Sequence, residues 1–317
     1  MRGLVAIVMG AVLSTLSTLS ASAAAETLRV EGIFPAQARE ASFLPTIAVG
    51  SFDGADGDAL ADAIERRLAT LGADGLPHAR LIPPSLRPDG LLTGHTDVAV
   101  ADRDYSETRQ RCIEKKDGKC VAKEKYRVAC VQRTIDFRAD LRLMPLTGGG
   151  LPYSVRKTRD DRHDWCEDSG FPSDVSSVLH GFVESIADDV RLDLAPHAER
   201  YTIRVQERRD GLPPAAAARF KQAVRLTKTD AAAACAAFAE VDRMAPDHGS
   251  TTFNLALCAE AAGRYAEAAD RYTRARLFAR QAGGEVSKGL GRVGALAAGA
   301  QDVAAMRAMP PVRGSGF

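Results

Sequence analysis

Six cysteines constrain this chain more than any other feature: Cys112, Cys120, Cys130, Cys166, Cys235 and Cys258. An even set is expected to close into bridges only where the compartment is oxidising, so the amino terminus decides their chemistry. Arg2 and the terminal amine form a short positive region, Leu4 to Leu13 an apolar one, and Ala21-Ser22-Ala23-Ala24-Ala25 a small-residue stretch before Glu26. That layout predicts a cleaved secretory signal over 1–25 and a periplasmic product. The apolar run covers about ten residues, too few to span hydrocarbon, and no cysteine precedes Cys112 to carry a lipid. Neither a membrane span nor a lipid anchor is expected.

Fifteen pairings of six cysteines are possible, and spacing favours neighbours. Cys112 and Cys120 flank the turn-forming Lys115-Lys116-Asp117-Gly118-Lys119. Cys130 lies in a strand pattern and Cys166 follows the next strands, leaving them to pair across one domain, while Cys235 and Cys258 lie in two successive helical patterns. The rival is structural zinc, with His163 three residues before Cys166. Such sites usually present a close C-x2-C pair, absent here.

With 317 residues, 45% of them apolar, the chain can build about two domains. Formal charge is +1, and loss of Arg2 with the leader brings it to zero. A neutral chain sets up no long-range field toward nucleic acid or an anionic membrane. Residues 103–143 hold twelve Lys/Arg against seven Asp/Glu. Alternating with apolar residues, these charges read as a solvated sheet face; without an aromatic stacking platform, nucleic acid is not an expected partner.

Leu44-Pro45-Thr46-Ile47-Ala48-Val49 reads as a buried strand, followed by a helical stripe of Leu60, Ile64, Leu68 and Leu71. Ile135, Phe137, Ala139, Leu141 and Leu143 alternate with charged residues, the mark of a half-exposed sheet. Upstream, Tyr126, Val128 and Cys130 have the opposite parity, which a bulge near Gln132-Arg133 would repair. Thr147-Gly148-Gly149-Gly150 turns the chain toward Tyr153 and Val155. A helix is expected over 173–194, with Val175, Leu179, Phe182, Ile186 and Val190 inward, and Tyr201, Ile203 and Val205 form a last strand. The fold class is therefore α+β: an antiparallel or mixed sheet with two helices over 26–207, a linker at 208–214, an α-helical module over 215–305 and a flexible tail at 306–317.

In the helical part, Ala234, Phe238 and Pro246 are matched 34 residues later by Ala268, Tyr272 and Arg280. This resembles tetratricopeptide repeats, with Arg280 in place of a proline, Ala259 in place of an inner aromatic, and a suggestion of a third unit over 283–305. The resemblance implies a concave groove for a protein partner, with Phe253, Asn254, Leu257 and Glu260 facing it. It also implies that the Asn254 amide pairs with a ligand backbone. Thr46-Ile-Ala-Val-Gly-Ser-Phe52, a Gly/Asp loop and an amphipathic helix are similar to the opening of periplasmic CsgG/LpoB/TolB-N-type domains. That likeness implies a role in envelope assembly or regulation.

Motifs for chemistry are sparse. Gly289-Leu-Gly291-Arg-Val-Gly294 matches the dinucleotide fingerprint in letters but follows a helical pattern instead of a strand. Asp53 to Asp58 fails the calcium-loop spacing. Asp160 to Asp168 concentrates acids around His163 and Asp164, the weak candidates for a metal. No nucleophile elbow, zinc-protease or phosphate-loop motif occurs. The expectation is a non-catalytic periplasmic interaction protein without cofactor, binding a protein through its repeats. The alternative is a small-ligand or metal-binding protein using the 160–168 loop.

Overall fold

A computed structural model describes residues 26–309 except 73–74, 76, 147–149 and 151. The expected leader and most of the expected tail lie outside the described residues. Strands β2 (Ile47–Gly54), β3 (Gly90–Lys116), β4 (Lys119–Pro145) and β5 (Tyr153–Cys166) form one mixed sheet in the order β2-β3-β4-β5. β2 runs parallel to β3, and the other pairs are antiparallel.

Helices α2 (Gly57–Leu68) and α3 (Val175–Leu194) cover one face of the sheet. Ile47, Phe52, Leu60, Ile64, Leu68, Ile135, Phe137, Leu141, Leu143, Ile186 and Val190 make that core. Period-two alternation on β4 and a 3.6-residue stripe on each helix are what this packing requires. Asp174 caps α3 by accepting the Ser176 N–H. The expected stripe of α2 overreaches at one residue: the helix stops at Leu68, and Leu71 is exposed.

β4 carries no bulge near Gln132-Arg133; its register with β3 and β5 is unbroken there. The parity change instead marks a change of covered face. Ile135 to Leu143 look toward α2 and α3, whereas Val128 and Cys130 look to the opposite side. There they pack with Cys166, Tyr105 and Tyr126 in a small separate cluster. Beyond Cys166 no third strand pairs with them among the described residues, so residues 106–129 of β3 and β4 continue as a two-stranded arm.

The last strand does not join this sheet. β1 (Thr27–Phe34) and β6 (His197–Arg204) pair antiparallel as a separate ribbon. Leu28 lies opposite Ile203 and Val30 opposite Tyr201, so all four share a face. That face packs into the core of the helical region, with Phe220, Phe238, Leu257 and Leu296. The helices α4 (Pro214–Leu226), α5 (Ala231–Met244), α6 (Gly249–Ala261), α7 (Tyr265–Phe278) and α8 (Gly283–Ala308) pack in chain order, each on the next. Two glycines permit the close docking of ribbon on helix: a Cβ at Gly32 would strike Leu296, and one at Gly299 would strike the Ile33 carbonyl. From the short helix α1 (Arg39–Ser42), Arg39 donates to the buried Asp302 of α8 at 2.8 Å, tying the two halves together.

All three expected disulfides are formed. Cys112–Cys120 staples the arm near its tip, Cys130–Cys166 joins β4 to β5, and Cys235–Cys258 joins α5 to α6. No free cysteine is left. Among the described residues no helix is long and apolar enough to cross a membrane. Replacing both Cys235 and Cys258 with serine is expected to lower stability by about 3 kcal/mol through the unfolded chain's regained freedom. Denaturant titration would show it as a fall in midpoint, and a change under about 1 kcal/mol would mean that α5–α6 packing suffices alone.

Candidate interaction site in the helical groove

The four residues expected to face a partner are all buried: Phe253, Asn254, Leu257 and Glu260 are each at most 1% exposed. The expectation of an open groove at these positions is thereby corrected. The chain's own ribbon occupies the space. α6 is buried along nearly its whole length because helices flank it and β1–β6 lies over it.

Asn254 makes the contact that the repeat resemblance implies, but with its own chain. Its Nδ2 donates to the Gln206 carbonyl at 2.9 Å, and its Oδ1 accepts the Gln206 N–H at 2.8 Å. One amide thus satisfies both main-chain groups of a residue just past β6, as a strand partner would. The backbone there has no ladder partner for Gln206, so a buried side-chain amide replaces one.

Glu260 is the centre of a second set of bonds. Its carboxylate accepts from Tyr201 Oη at 3.0 Å, from Tyr272 Oη at 2.8 Å and from Arg292 Nη2 at 2.7 Å, with Arg292 Nε closing a two-pronged pair. These partners come from β6, α7 and α8. Arg292 also lies over the Tyr201 ring at 5.4 Å. Burial, reinforced by the Glu260 charge, pushes the Tyr201 and Tyr272 hydroxyls well above the ordinary tyrosine range. Burial opposes charge on Arg292, and its bonds to Glu260 outweigh that, so the guanidinium is held above its usual value. A carboxylate filled by four hydrogen bonds from three residues has no lone pair aimed at a substrate; its chemistry here is to fasten the ribbon. Phe253 packs edge-on against Tyr272 at 5.6 Å, and Leu257 joins the ribbon's core.

Past Gln206 the groove opens. A cleft of about 440 Å³ lies between Gln206, Arg208, His248, Ser250, Leu277 and Phe278. Leu277 is 66% exposed and Phe278 46%, large apolar side chains left to solvent beside polar walls. His248 is the N-cap of α6, its Nδ1 accepting the Thr251 N–H at 3.3 Å. Its ring lies edge-on to Phe220 at 5.6 Å. Burial lowers its pKa, opposed in part by Asp210.

The acidic 160–168 segment is not a loop. Residues 160–166 belong to β5, followed by a turn at Cys166–Ser169. Adjacent strand residues point to opposite faces, so His163 and Asp164 diverge instead of converging on an ion. His163 Nε2 lies 2.7 Å from the Phe171 carbonyl, and Asp164 accepts from Gln132 at 3.0 Å. Among the described residues, one group of three, Glu107, Cys130 and Cys166, brings candidate ligand atoms within 4.8 Å. Its two sulfurs are bonded to each other, so no thiolate is offered. The glycine fingerprint lies inside α8, where Gly289 takes the face of the Tyr272 ring, a packing role.

Sequence reasoning missed β1 altogether, although Leu28 and Val30 alternate with Arg29 and Glu31 in the pattern of a half-buried strand. It placed Tyr201 and Ile203 correctly on a strand but in the wrong sheet. Arg292 gave no sequence signal, since a lone arginine in an alanine-rich helix reads as surface.

No family model matches the chain, and no curated protein matches it. Among solved structures, a PelC dodecamer from Paraburkholderia phytofirmans aligns at 17% identity over 52% of this chain and 97% of that one. The TM-score of that alignment is 0.22.

Two measurements probe this site. Glu260→Ala leaves Arg292 buried without its partner and is expected to cost about 3–5 kcal/mol, seen in the denaturant midpoint; a loss below about 1 kcal/mol would show that the ribbon is held by apolar packing alone. For His248 the fold favours the neutral ring, so its contribution is complete above the ordinary value of 6.5 and is lost as pH falls below that toward the lowered folded value. Melting temperatures should therefore drop on mild acidification. His248→Asn, which keeps a cap acceptor without a titrating ring, should shrink that drop.

Proposed function

We propose that the protein is a non-catalytic interaction protein of the periplasm, serving cell-envelope assembly or regulation. In this reading a tetratricopeptide-like module grips an extended backbone and offers the rest of its groove to a protein partner. The observation that carries it is the two-pronged pairing of Asn254 with Gln206, the chemistry of strand recognition. The chain's own ribbon takes the inner slots, and the partner segment continues from Gln206 into the open cleft along Leu277 and Phe278. Apolar side chains left exposed at the rim of a polar cleft suit a short protein segment.

Two observations and one general rule support the compartment. The leader pattern precedes Glu26, every cysteine is bridged, and bridges of this number persist in an oxidising space. The saturated hydrogen bonding of Glu260 and the divergence of His163 and Asp164 favour a binding role over catalysis or metal capture. No separate observation favours the small-ligand alternative at 160–168.

The test is crosslinking in the native compartment from a photoreactive residue at position 277. It should yield a discrete protein adduct, and the purified partner should bind the intact chain. Phe278→Asp should weaken that binding by about tenfold or more with the melting temperature unchanged. Absence of any adduct at 277, or full affinity in Phe278→Asp, would refute the assignment of this cleft.

A further inference from the structure

The arm formed by residues 106–129 is out of proportion to the domain that carries it. It extends beyond the end of β5 for ten residue pairs, roughly 35 Å at the rise of a strand. An isolated two-stranded ribbon is marginal in water, and this one is reinforced at both ends. At the root, Arg109 donates to Asp168 at 2.5 Å, and the Tyr126 hydroxyl donates to the same carboxylate at 2.6 Å. Near the tip the Cys112–Cys120 bridge closes the strands. Such bracing of an element that contributes little to any core calls for a purpose outside the fold.

Charge and apolar surface are distributed unevenly on it. The arm holds eight Lys/Arg against four Asp/Glu, in a chain whose total is near neutral. Two of the acids are spent on one face, Glu107 on Arg109 and Glu124 on Arg111. On the other face Lys123, Lys125 and Arg127 stand in a row at every second residue, opposite Cys112, Gln110 and Thr108. These three cations make no salt bridge among the described residues. Further out, Lys115, Lys116 and Lys119 surround the turn. Beside them on the arm, Ile113 is 60% and Val121 54% exposed, aliphatic side chains left largely to solvent.

We propose that the distal arm seats on an anionic phospholipid surface, with the lysine row against headgroups and Ile113 and Val121 dipping into the interface. The docking is independent of any partner in the helical cleft. Cations bordering a few exposed aliphatic side chains are what a peripheral membrane contact needs, since electrostatic attraction and shallow apolar burial add. A soluble polyanion would have no use for the two aliphatic residues. Nor does the arm offer a free aromatic for stacking on bases, because Tyr126 is covered by Arg111 at 5.5 Å and held by Asp168. A protein partner of ordinary interface size needs about 800 Å² of complementary surface. A narrow convex ribbon tip does not present that, whereas a bilayer conforms to it.

The experiment uses the full mature chain with its disulfides intact and sediments it with phosphatidylcholine vesicles, with and without phosphatidylglycerol. Binding is expected only to the anionic vesicles and should fall as salt rises. Joint reversal of Lys123→Glu, Lys125→Glu and Arg127→Glu should weaken it by about a hundredfold or more. Ile113→Ser with Val121→Ser should weaken vesicle binding by about tenfold while leaving retention on dextran sulfate unchanged. All five side chains sit on the arm, so the melting temperature should not move. Should the reversal variant melt early, the milder Lys123→Gln, Lys125→Gln and Arg127→Gln set replaces it, with a smaller loss expected. No sedimentation with anionic vesicles at low salt, equal binding to neutral vesicles, or unchanged vesicle affinity in the Ile113/Val121 variant would each overturn the proposal.

Discussion

A buried carboxylate that reaches three elements at once fastens the β1–β6 ribbon of this protein to its helices. Glu260 joins β6 through Tyr201, α7 through Tyr272 and α8 through Arg292. A charge at that depth is tolerable only with every acceptor position filled. The ribbon therefore cannot leave without exposing both an unpaired carboxylate and an unpaired guanidinium. Asn254 adds the same logic for a neutral group, since withdrawing Gln206 would strand two amide atoms in a buried site. Because β1 begins at Thr27 and β6 immediately precedes the helices, the first strand of the α+β part is folded into the last module. Two regions that look separable along the chain are interlocked in space, and the Arg39–Asp302 pair adds a second tie.

The sheet obeys a different constraint. A ladder can run unbroken while its environment changes from one face to the other, and β4 does so between Cys130 and Ile135. Near its base the strand is covered by α2 and α3. Toward the arm it is covered on the reverse face by a three-residue cluster that includes a disulfide. The bridge matters most there, because so small an apolar cluster could not fix the strands alone. Past it, the arm has charge and hydrogen bonds in place of a core, and its stability rests on the second bridge and on Asp168.

The sequence carried much of this openly. Period two over Ile135–Leu143 and a helical stripe through Leu60, Ile64 and Leu68 specified the α+β core, because those repeats leave one face to bury. Neighbouring cysteines found their partners as their spacing suggested, since short loops close readily. Helix boundaries near 175–194 and the repeat-like spacing of α5 to α7 were equally legible. Phe253, Asn254, Leu257 and Glu260 were expected to face a partner, and burial of α6 on every side closes those positions instead.

What covers that face was decided only in three dimensions. A groove-lining residue and a core residue have the same local pattern, and the difference lies in a ribbon whose strands are separated by about 160 residues of sequence. The same holds for Arg292, which becomes a buried counter-ion only because α8 passes Glu260, and for the parity change in β4, which no local rule can assign to a bulge or to a change of cover. Periodicity fixes which side of an element is apolar. The identity of its neighbour depends on contacts made far along the chain, and in this protein those contacts close the groove with the chain's own strands.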